Sequence, residues 1–288
     1  MNANLFQILI LGLVQGAAEL LPVSSSAHVI VVEKLMGLDP STPEMTFLLV
    51  MLHTGTMIAV ICYFRKAWKQ NFFGSWEKFR SALVHILIAT FVTGVVGLFL
   101  QFLIEKVFLR HHGTAAEVEM LFGQLPLIAA ALSCVGLLIV ISGILDEKNP
   151  KQGSLTSGKS AWIGAVQGLC LPFRGFSRSG ATISAGLLAG ISRRKCEEFS
   201  FALVVVLTPP VIAKELWRLL KSRSDIAHPL HLAHLLVPGL FGMVCSFVAG
   251  LLALWLLSNW LEIGRWKFFG FYCFAFALVV FVIAKCGL

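Results

Sequence analysis

The sequence predicts an all-α integral membrane protein built as an inverted repeat, in which each half is a re-entrant helical hairpin followed by three transmembrane helices. Three observations support this fold class. The chain is 57% hydrophobic and 13% charged, long uncharged blocks recur along it, and two broken apolar regions resemble each other. Soluble domains are about 25% charged, so a soluble protein of 288 residues with this composition is nearly excluded.

The excess of basic residues indicates how the protein is oriented in the membrane rather than a nucleic-acid partner. The net charge is +8, but the basic residues lie in short loops between apolar blocks, as in membrane proteins oriented by loop charge. We therefore expect membrane lipid around the chain and no nucleic-acid partner. The seven cysteines are scattered singly, and we interpret them as small hydrophobic residues without a disulfide or zinc framework.

Six uncharged blocks are long enough, or nearly so, to be transmembrane helices. A hydrocarbon core of about 30 Å is crossed at about 1.5 Å per helical residue. The blocks cover residues 47–64, 82–104, 125–145, 199–213, 235–261 and 268–284, and the fourth continues to about residue 220.

Two further apolar regions, residues 3–32 and 160–192, are broken by polar residues, prolines or glycines. Each divides into two pieces of roughly 14 residues, about 21 Å of helix, which is too short to cross a bilayer alone. Two short helices that meet at a polar break are typical of a re-entrant hairpin. A bilayer tolerates such a hairpin when the break is buried in protein or faces a wet cavity.

The two broken regions also match in sequence. Gly12-Leu-Val-Gln-Gly16 matches Gly164-Ala-Val-Gln-Gly168 at an offset of 152, and Ser24-Ser25-Ser26-Ala27 corresponds to Ser177-Arg178-Ser179-Gly180 at an offset of 153. A hairpin followed by three crossings delivers the second copy upside down. The match therefore predicts an inverted repeat about an axis in the membrane plane.

Loop charge gives this arrangement an orientation. Segments 65–81 and 146–160 are rich in lysine and arginine and are expected in the cytoplasm, whereas 105–124 has three glutamates against two basic residues and is expected outside. Residues 214–223 are the exception, because the same orientation places their four basic residues outside.

We expect a single membrane domain over residues 1–288, with repeat 1 at about 1–150 and repeat 2 at about 155–288.

The break in the first region concentrates reactive groups. Gln15 and Glu19 are four residues apart, on one helix face. A carboxylate inside a membrane costs about 2.5–3.5 kcal/mol on insertion scales, so its default interpretation is functional. The alternative is a buried Glu19 that is protonated or hydrogen-bonded to the serine run.

A candidate nucleophile and a candidate general acid or base follow Pro22. Ser25 fits a nucleophile or phosphate ligand, and His28 fits a general acid or base beside it. The alternatives are a structural His28 and helix-capping serines.

The break in the second region supplies a cation. Arg178 lies in Gly175-Phe-Ser-Arg-Ser-Gly-Ala-Thr182, where glycines allow close approach of an anion and a helix N-terminus follows. Its guanidinium suits phosphate oxygens. The alternative is that Arg178 merely pairs with Glu19. The sequence does not decide whether the Arg174 side chain points into the site or toward the membrane interface.

Weaker candidates lie within or at the ends of the predicted spans. His53 and Thr54 interrupt the first span, where hydrogen bonds across helices are an equal alternative. Lys214 and Glu215 lie at a span end, where we expect snorkelling rather than catalysis.

The two breaks together carry a family resemblance. Gln15-Gly-Ala-Ala-Glu19, leading into Pro22-Val-Ser-Ser-Ser-Ala-His28, resembles the first signature of the undecaprenyl-pyrophosphate phosphatase (BacA/UppP, bacitracin-resistance) family. The run from Gly175 to Thr182 is similar to its second signature, Pro-Gly-x-Ser-Arg-Ser-Gly-Ala-Thr. The resemblance implies a multi-pass enzyme of the bacterial inner membrane with a site opening to the periplasm. Such an enzyme removes the terminal phosphate of undecaprenyl pyrophosphate, leaving the monophosphate carrier lipid of peptidoglycan synthesis.

The resemblance also implies roles for individual residues. The catalytic residues would be Glu19, Ser25, His28 and Arg178. The substrate-binding residues would be Gln15, Ser24, Ser26, Ser177, Ser179 and Thr182. A divalent cation, Mg²⁺ or Ca²⁺, would be held by Glu19 and Gln15. Two departures matter: Gln15 removes one carboxylate from the metal site, and Arg174-Gly175 stands where Pro-Gly is usual.

Several alternatives stay open. The nucleophile is Ser25, His28 or a water molecule, and a homodimer is one alternative for the oligomeric state. A transporter or flippase for a phosphorylated polyprenyl lipid is the rival function, because inverted repeats and broken helices are transporter architecture. A separation of more than about 15 Å between Glu19 and Arg178 would contradict the whole interpretation.

Overall fold

The computed structural model describes residues 3–40, 42–112, 124–222 and 229–286. This part of the chain contains ten α-helices: α1 Leu5–Leu20, α2 Ser25–Leu35, α3 Pro43–Asn71, α4 Trp76–His112, α5 Leu125–Lys148, α6 Ser157–Cys170, α7 Arg178–Leu188, α8 Arg193–Ser222, α9 Pro229–Glu262 and α10 Lys267–Lys285. Its only β interaction is an isolated bridge between Gly153 and Ile191. The all-α prediction is therefore confirmed.

Six of these helices are long and apolar enough to cross a membrane: α3, α4, α5, α8, α9 and α10. Each contains one of the six predicted blocks, so the chain is a multi-pass membrane protein. Large apolar side chains such as Phe91 and Leu98 lie on the outer surface, 71% and 70% exposed, where lipid rather than water would surround them. The predicted outer segment 105–124 and the stretch 214–223 fall partly outside the described residues.

Both broken regions consist of two short helices. Residues 21–24 separate α1 from α2, and residues 171–177 separate α6 from α7. Pro22 cannot continue α1, because proline has no N–H to donate and its ring clashes with the preceding turn. Ser24 then has φ 68°, a left-handed conformation that L side chains rarely adopt. Gly175 makes the corresponding turn before α7 with φ 95°.

Close helix contacts fix where the two breaks lie. A Cβ on Gly16 would collide with the Ser246 carbonyl of α9, and a Cβ on Gly164 would collide with the Ala89 carbonyl of α4. Glycine at these positions lets α1 lie directly against α9 and α6 directly against α4. The main apolar core includes buried side chains from both broken regions and from the spans around them. Each break is thus held inside the bundle.

Candidate active site

The two helix breaks meet and are hydrogen-bonded to each other. The Gly175 N–H donates to Ser26 Oγ at 3.2 Å, and the Ser179 hydroxyl donates to the Leu21 carbonyl at 3.4 Å. Because each bond joins residues about 150 positions apart in the sequence, the fold itself assembles this site.

The acid of the first break contacts the guanidinium of the second. Arg178 Nη2 donates to Glu19 Oε1 at 2.8 Å. This separation is far below about 15 Å, the distance beyond which one diphosphate could not bridge the two groups even after a one-turn shift of a helix. The Glu19 side chain is 10% exposed, and a carboxylate in such a place needs a charged or hydrogen-bonding partner. Arg178 supplies both.

Three further groups surround the other carboxylate oxygen of Glu19. The Ser25 hydroxyl donates to Oε2 at 2.5 Å, and Gln15 Nε2 donates to it at 3.3 Å. His53 Nε2 lies 3.9 Å from the same oxygen. A serine hydroxyl this close to a carboxylate is poised to give up its proton to it. The arrangement therefore places a hydroxyl and a guanidinium on the two oxygens of one carboxylate.

Glu19, Ser25, His53 and Arg178 line a cavity of about 250 Å³, whereas Gln15, which is predicted to bind substrate, is buried behind Glu19 and does not line it. Its polar wall comprises Glu19, Ser24, Ser25, Ser26, His53, Arg174, Ser177, Arg178 and Ser179, and its apolar wall comprises Ala18, Cys170, Leu171, Phe173, Phe176 and Val204. A lining that combines hydroxyl and guanidinium donors with apolar side chains suits an amphipathic ligand with an anionic head.

The N-terminus of α7 contributes to the polar wall. Ser177 caps this helix, accepting from the Gly180 N–H at 3.2 Å, and its hydroxyl lies 3.3 Å from that of Ser179. A helix N-terminus presents free N–H groups and the positive end of its dipole, both of which favour an anion.

Thr182 is predicted to bind substrate, but it does not line the cavity. Its hydroxyl is buried and contacts the Arg178 carbonyl at 2.9 Å and the Ser200 hydroxyl at 2.6 Å. It therefore stabilises the first turn of α7 from the side that faces α8, away from the cavity.

His28 also points away from the cavity. Its Nδ1 lies 2.8 Å from the Ser24 carbonyl, and its Nε2 lies 2.8 Å from the Tyr272 hydroxyl. A carbonyl can only accept, so Nδ1 carries the proton and neutral Nε2 accepts from Tyr272. The ring stacks on Phe276 with centroids 3.7 Å apart. His28 thus fastens α2 to α10, and the predicted role of this residue at the reacting phosphorus stays a prediction.

Two further residues lie close to these groups. His53 is only a weaker candidate from the sequence, and Tyr272 is not predicted from it. His53 Nδ1 contacts the Leu49 carbonyl at 2.8 Å, which leaves Nε2 directed at Glu19. The feature of the sequence that points to His53 is a titratable side chain inside a predicted span. Tyr272, the partner of His28, lies in a phenylalanine-rich span, where nothing in the sequence distinguishes it from a packing residue.

A larger cavity of about 1000 Å³ lies toward the other ends of α3 and α8. Gln70, which lines it, is 17 residues from His53, about 26 Å along a helix. Its arginines are already paired, Arg193 with Asp146 and Arg194 with Glu198. It contains no residue of either break and is therefore separate from the site described here.

The chain is similar to known proteins over nearly its whole length. Residues 8–279 match the family model described as Bacitracin resistance protein BacA. Undecaprenyl-diphosphatase 2 of Acinetobacter baylyi is 58% identical over 284 residues, covering 98% of each chain. Undecaprenyl-diphosphatase of Desulfosudis oleivorans is 34% identical, covering 93% of this chain and 94% of that protein. Undecaprenyl-diphosphatase 1 of Burkholderia pseudomallei is 33% identical, covering 94% and 93%.

Proposed function

The chain belongs to the bacitracin resistance protein BacA family, and from that premise we propose that it is an undecaprenyl-diphosphatase. It hydrolyses the terminal phosphate of undecaprenyl pyrophosphate and leaves the monophosphate carrier lipid used in cell-wall synthesis. The observation that carries this proposal is the contact of Glu19 with both Arg178 and Ser25. It joins an acid, a cation and a hydroxyl at the wall of one cavity.

Substrate binding is assigned to the second break and the serines of the first. Arg178 would bind phosphate oxygens as a two-pronged donor, and the N-terminus of α7 with Ser177 and Ser179 would add neutral donors. The apolar wall of the cavity would receive the start of the polyprenyl chain. Both ends of the substrate would therefore meet matching chemistry.

The hydrogen bond to Glu19 favours Ser25 over His28 or a free water molecule as the nucleophile. Glu19 would accept the Ser25 proton as the Oγ–P bond forms and the bridging P–O bond breaks, releasing undecaprenyl monophosphate. Water would then cleave the phosphoserine and release inorganic phosphate. Arg178 would stabilise the charge that builds on the phosphoryl oxygens in both steps.

A divalent cation, Mg²⁺ or Ca²⁺, is proposed on the family resemblance, and the donors present fit it. Glu19, Gln15 and the neighbouring serines offer oxygen ligands, which both ions prefer. Among the residues that the structure describes, no cluster of three or more His, Cys, Asp or Glu could hold a metal, so substrate phosphate oxygens would complete the ligand set. A bound cation would supply Lewis-acid neutralisation of phosphoryl charge.

An inverted repeat with two re-entrant hairpins is the membrane architecture that we propose. The packing supports it, because α1 lies against α9 while its counterpart α6 lies against α4, the counterpart of α9. The basic segments 65–81 and 146–160 favour the cytoplasm, and a site that opens to the periplasm is proposed on the family resemblance. The homodimer stays a prediction.

Phosphate release from undecaprenyl pyrophosphate by the purified protein in detergent tests the function. Glu19→Ala and Arg178→Ala should abolish release, whereas the exposed controls Glu77→Ala and Arg65→Ala should retain it. Binding of the lipid without release by the unmodified protein would contradict a phosphatase and support the transporter or flippase.

A chelator series tests the cation separately. EDTA should abolish release and Mg²⁺ or Ca²⁺ should restore it. Gln15→Glu should lower the cation concentration needed for half-maximal activity, because a second carboxylate strengthens the ligand set. Full activity in EDTA would contradict the cation requirement while leaving the phosphatase function intact.

A further inference from the structure

Arg174 is a second cation at the cavity, and the Glu19–Arg178 pair does not use it. Its side chain is exposed and lines the same cavity. Among the described residues, no hydrogen bond or ion pair within 4 Å engages its guanidinium, whereas Arg178 is paired with Glu19 at 2.8 Å. The positive charge of Arg178 is thus already compensated, and that of Arg174 is available.

The backbone beside Arg174 is firmly placed. Gly175 has φ 95°, and its N–H donates to Ser26 Oγ at 3.2 Å. A Cβ on Gly175 would lie 2.6 Å from the Ile128 carbonyl, so this turn is wedged between the first break and α5. Arg174 therefore projects from a fixed point rather than from a free loop.

Glu33 is a buried carboxylate that feels the positive charge of Arg174, but among the described residues no ion pair within 4 Å joins the two side chains. It lies near the end of α2, outside the six spans, and is 3% exposed. Its Oε1 has no hydrogen-bond partner within the described parts of the chain, which is unfavourable for a buried carboxylate. Burial raises the pKa of Glu33 to about 7, and the positive charge of Arg174 acts in the opposite direction.

We infer that Arg174 binds the substrate diphosphate as a second cation beside Arg178. The inference rests on the proposed function, which supplies the diphosphate. A diphosphate carries more than one negative charge, and the Glu19–Arg178 pair is neutral as a unit. Arg174 provides the uncompensated positive charge that such a head group needs.

Steady-state phosphate release distinguishes this role from a structural one. In Arg174→Ala we expect KM for undecaprenyl pyrophosphate to rise about 10- to 100-fold, the loss of one charge-assisted contact, with kcat within about twofold. Arg174→Lys should restore part of the affinity, because it keeps the charge but not the planar fork. Arg65→Ala, at an exposed arginine of α3, is the matched control and should leave KM unchanged.

Direct binding measures the same contact without turnover. Binding of a methylene-bridged diphosphonate analogue of the lipid should weaken in Arg174→Ala in parallel with the rise in KM.

The outcomes separate this inference from the function on which it rests. If the unmodified protein releases no phosphate, the proposed function fails. If it is active and both Arg174→Ala and Arg174→Lys bind the analogue like the parent, the function stands and the inference is overturned. A fall in kcat at unchanged KM also overturns it, because Arg174 would then act only in the transition state.

Discussion

The two broken helix pairs, α1–α2 and α6–α7, share a framework and differ in chemistry. In each, a Gly-x-x-x-Gly face lets the first short helix lie against a long one. The glutamine inside that face behaves differently in the two pairs. Gln15 donates to Glu19 at the cavity, whereas Gln167 donates to the buried Thr93 hydroxyl of α4 at 3.0 Å. The same residue is part of a site in one pair and a packing contact in the other.

The difference is sharpest at the breaks. At the offset of 152, Leu171 stands where the first pair has Glu19, and both line the cavity. At the offset of 153, Ser25 corresponds to Arg178, and these two side chains hydrogen-bond to different oxygens of the same Glu19 carboxylate. The two matching segments thus place a hydroxyl and a guanidinium at equivalent positions beside one acid. Asymmetry at the breaks, rather than in the framework, makes the site.

Removing the acid should have the largest effect. Glu19→Gln keeps the size of the side chain but accepts no proton, so we expect kcat to fall by about 10³-fold, within the range of general-base catalysis. The measurement is phosphate release at saturating lipid. The matched control is Leu171→Ala at the equivalent position of the second pair, which should keep kcat of the same order. Equal losses in both variants would mean that the two breaks are not chemically distinct.

Ser25→Ala should reduce kcat by about 10²- to 10³-fold, because water must then replace the positioned hydroxyl. A phosphoserine at Ser25, trapped by acid quench and located by mass spectrometry, would show that this hydroxyl attacks phosphorus. Ser24→Ala is the neighbouring control and should form the same adduct. Near-native turnover of Ser25→Ala would contradict attack by Ser25 and leave water or His28 as the nucleophile.

The two glutamines should separate activity from stability. Gln167→Ala leaves the buried Thr93 contact unmade, and we expect it to lower the free energy of unfolding by about 1–3 kcal/mol with kcat retained. Gln15→Ala removes a donor to Glu19 and should lower kcat by about tenfold, an effect on turnover that Gln167→Ala should not share. Thermal unfolding in detergent, measured beside turnover, checks both. The reverse assignment would contradict the division between framework and site.

Much of this asymmetry could be predicted from the sequence, for physical reasons that differ between residues. Hydropathy and helix length located the six spans and both breaks, and an acid and an arginine at polar breaks inside a membrane had few partners except each other. The rotation of each helix could not be predicted. His28 turns toward Tyr272 and Thr182 toward Ser200, because those directions depend on packing with α10 and α8.

The smallest expected effect concerns Glu33 of α2, which lies beyond the segments that match in sequence between the two pairs. Its pKa of about 7 exceeds the ordinary value of 4.5, so the folded state binds more protons than the unfolded state between these values. Stability should therefore fall as the pH rises from about 4.5 to 7, by an amount on the order of 1–3 kcal/mol.

Glu33→Gln should remove this dependence, gaining stability over the parent as the pH rises through that window and matching it near pH 4. Apparent Tm in detergent, measured from pH 4 to 8 with the exposed variant Glu77→Gln as control, checks the sign. A parent whose Tm rises over the same window relative to Glu33→Gln would mean that Arg174 pairs with Glu33 strongly enough to outweigh its burial. The guanidinium would then be committed to Glu33 and less available to the cavity.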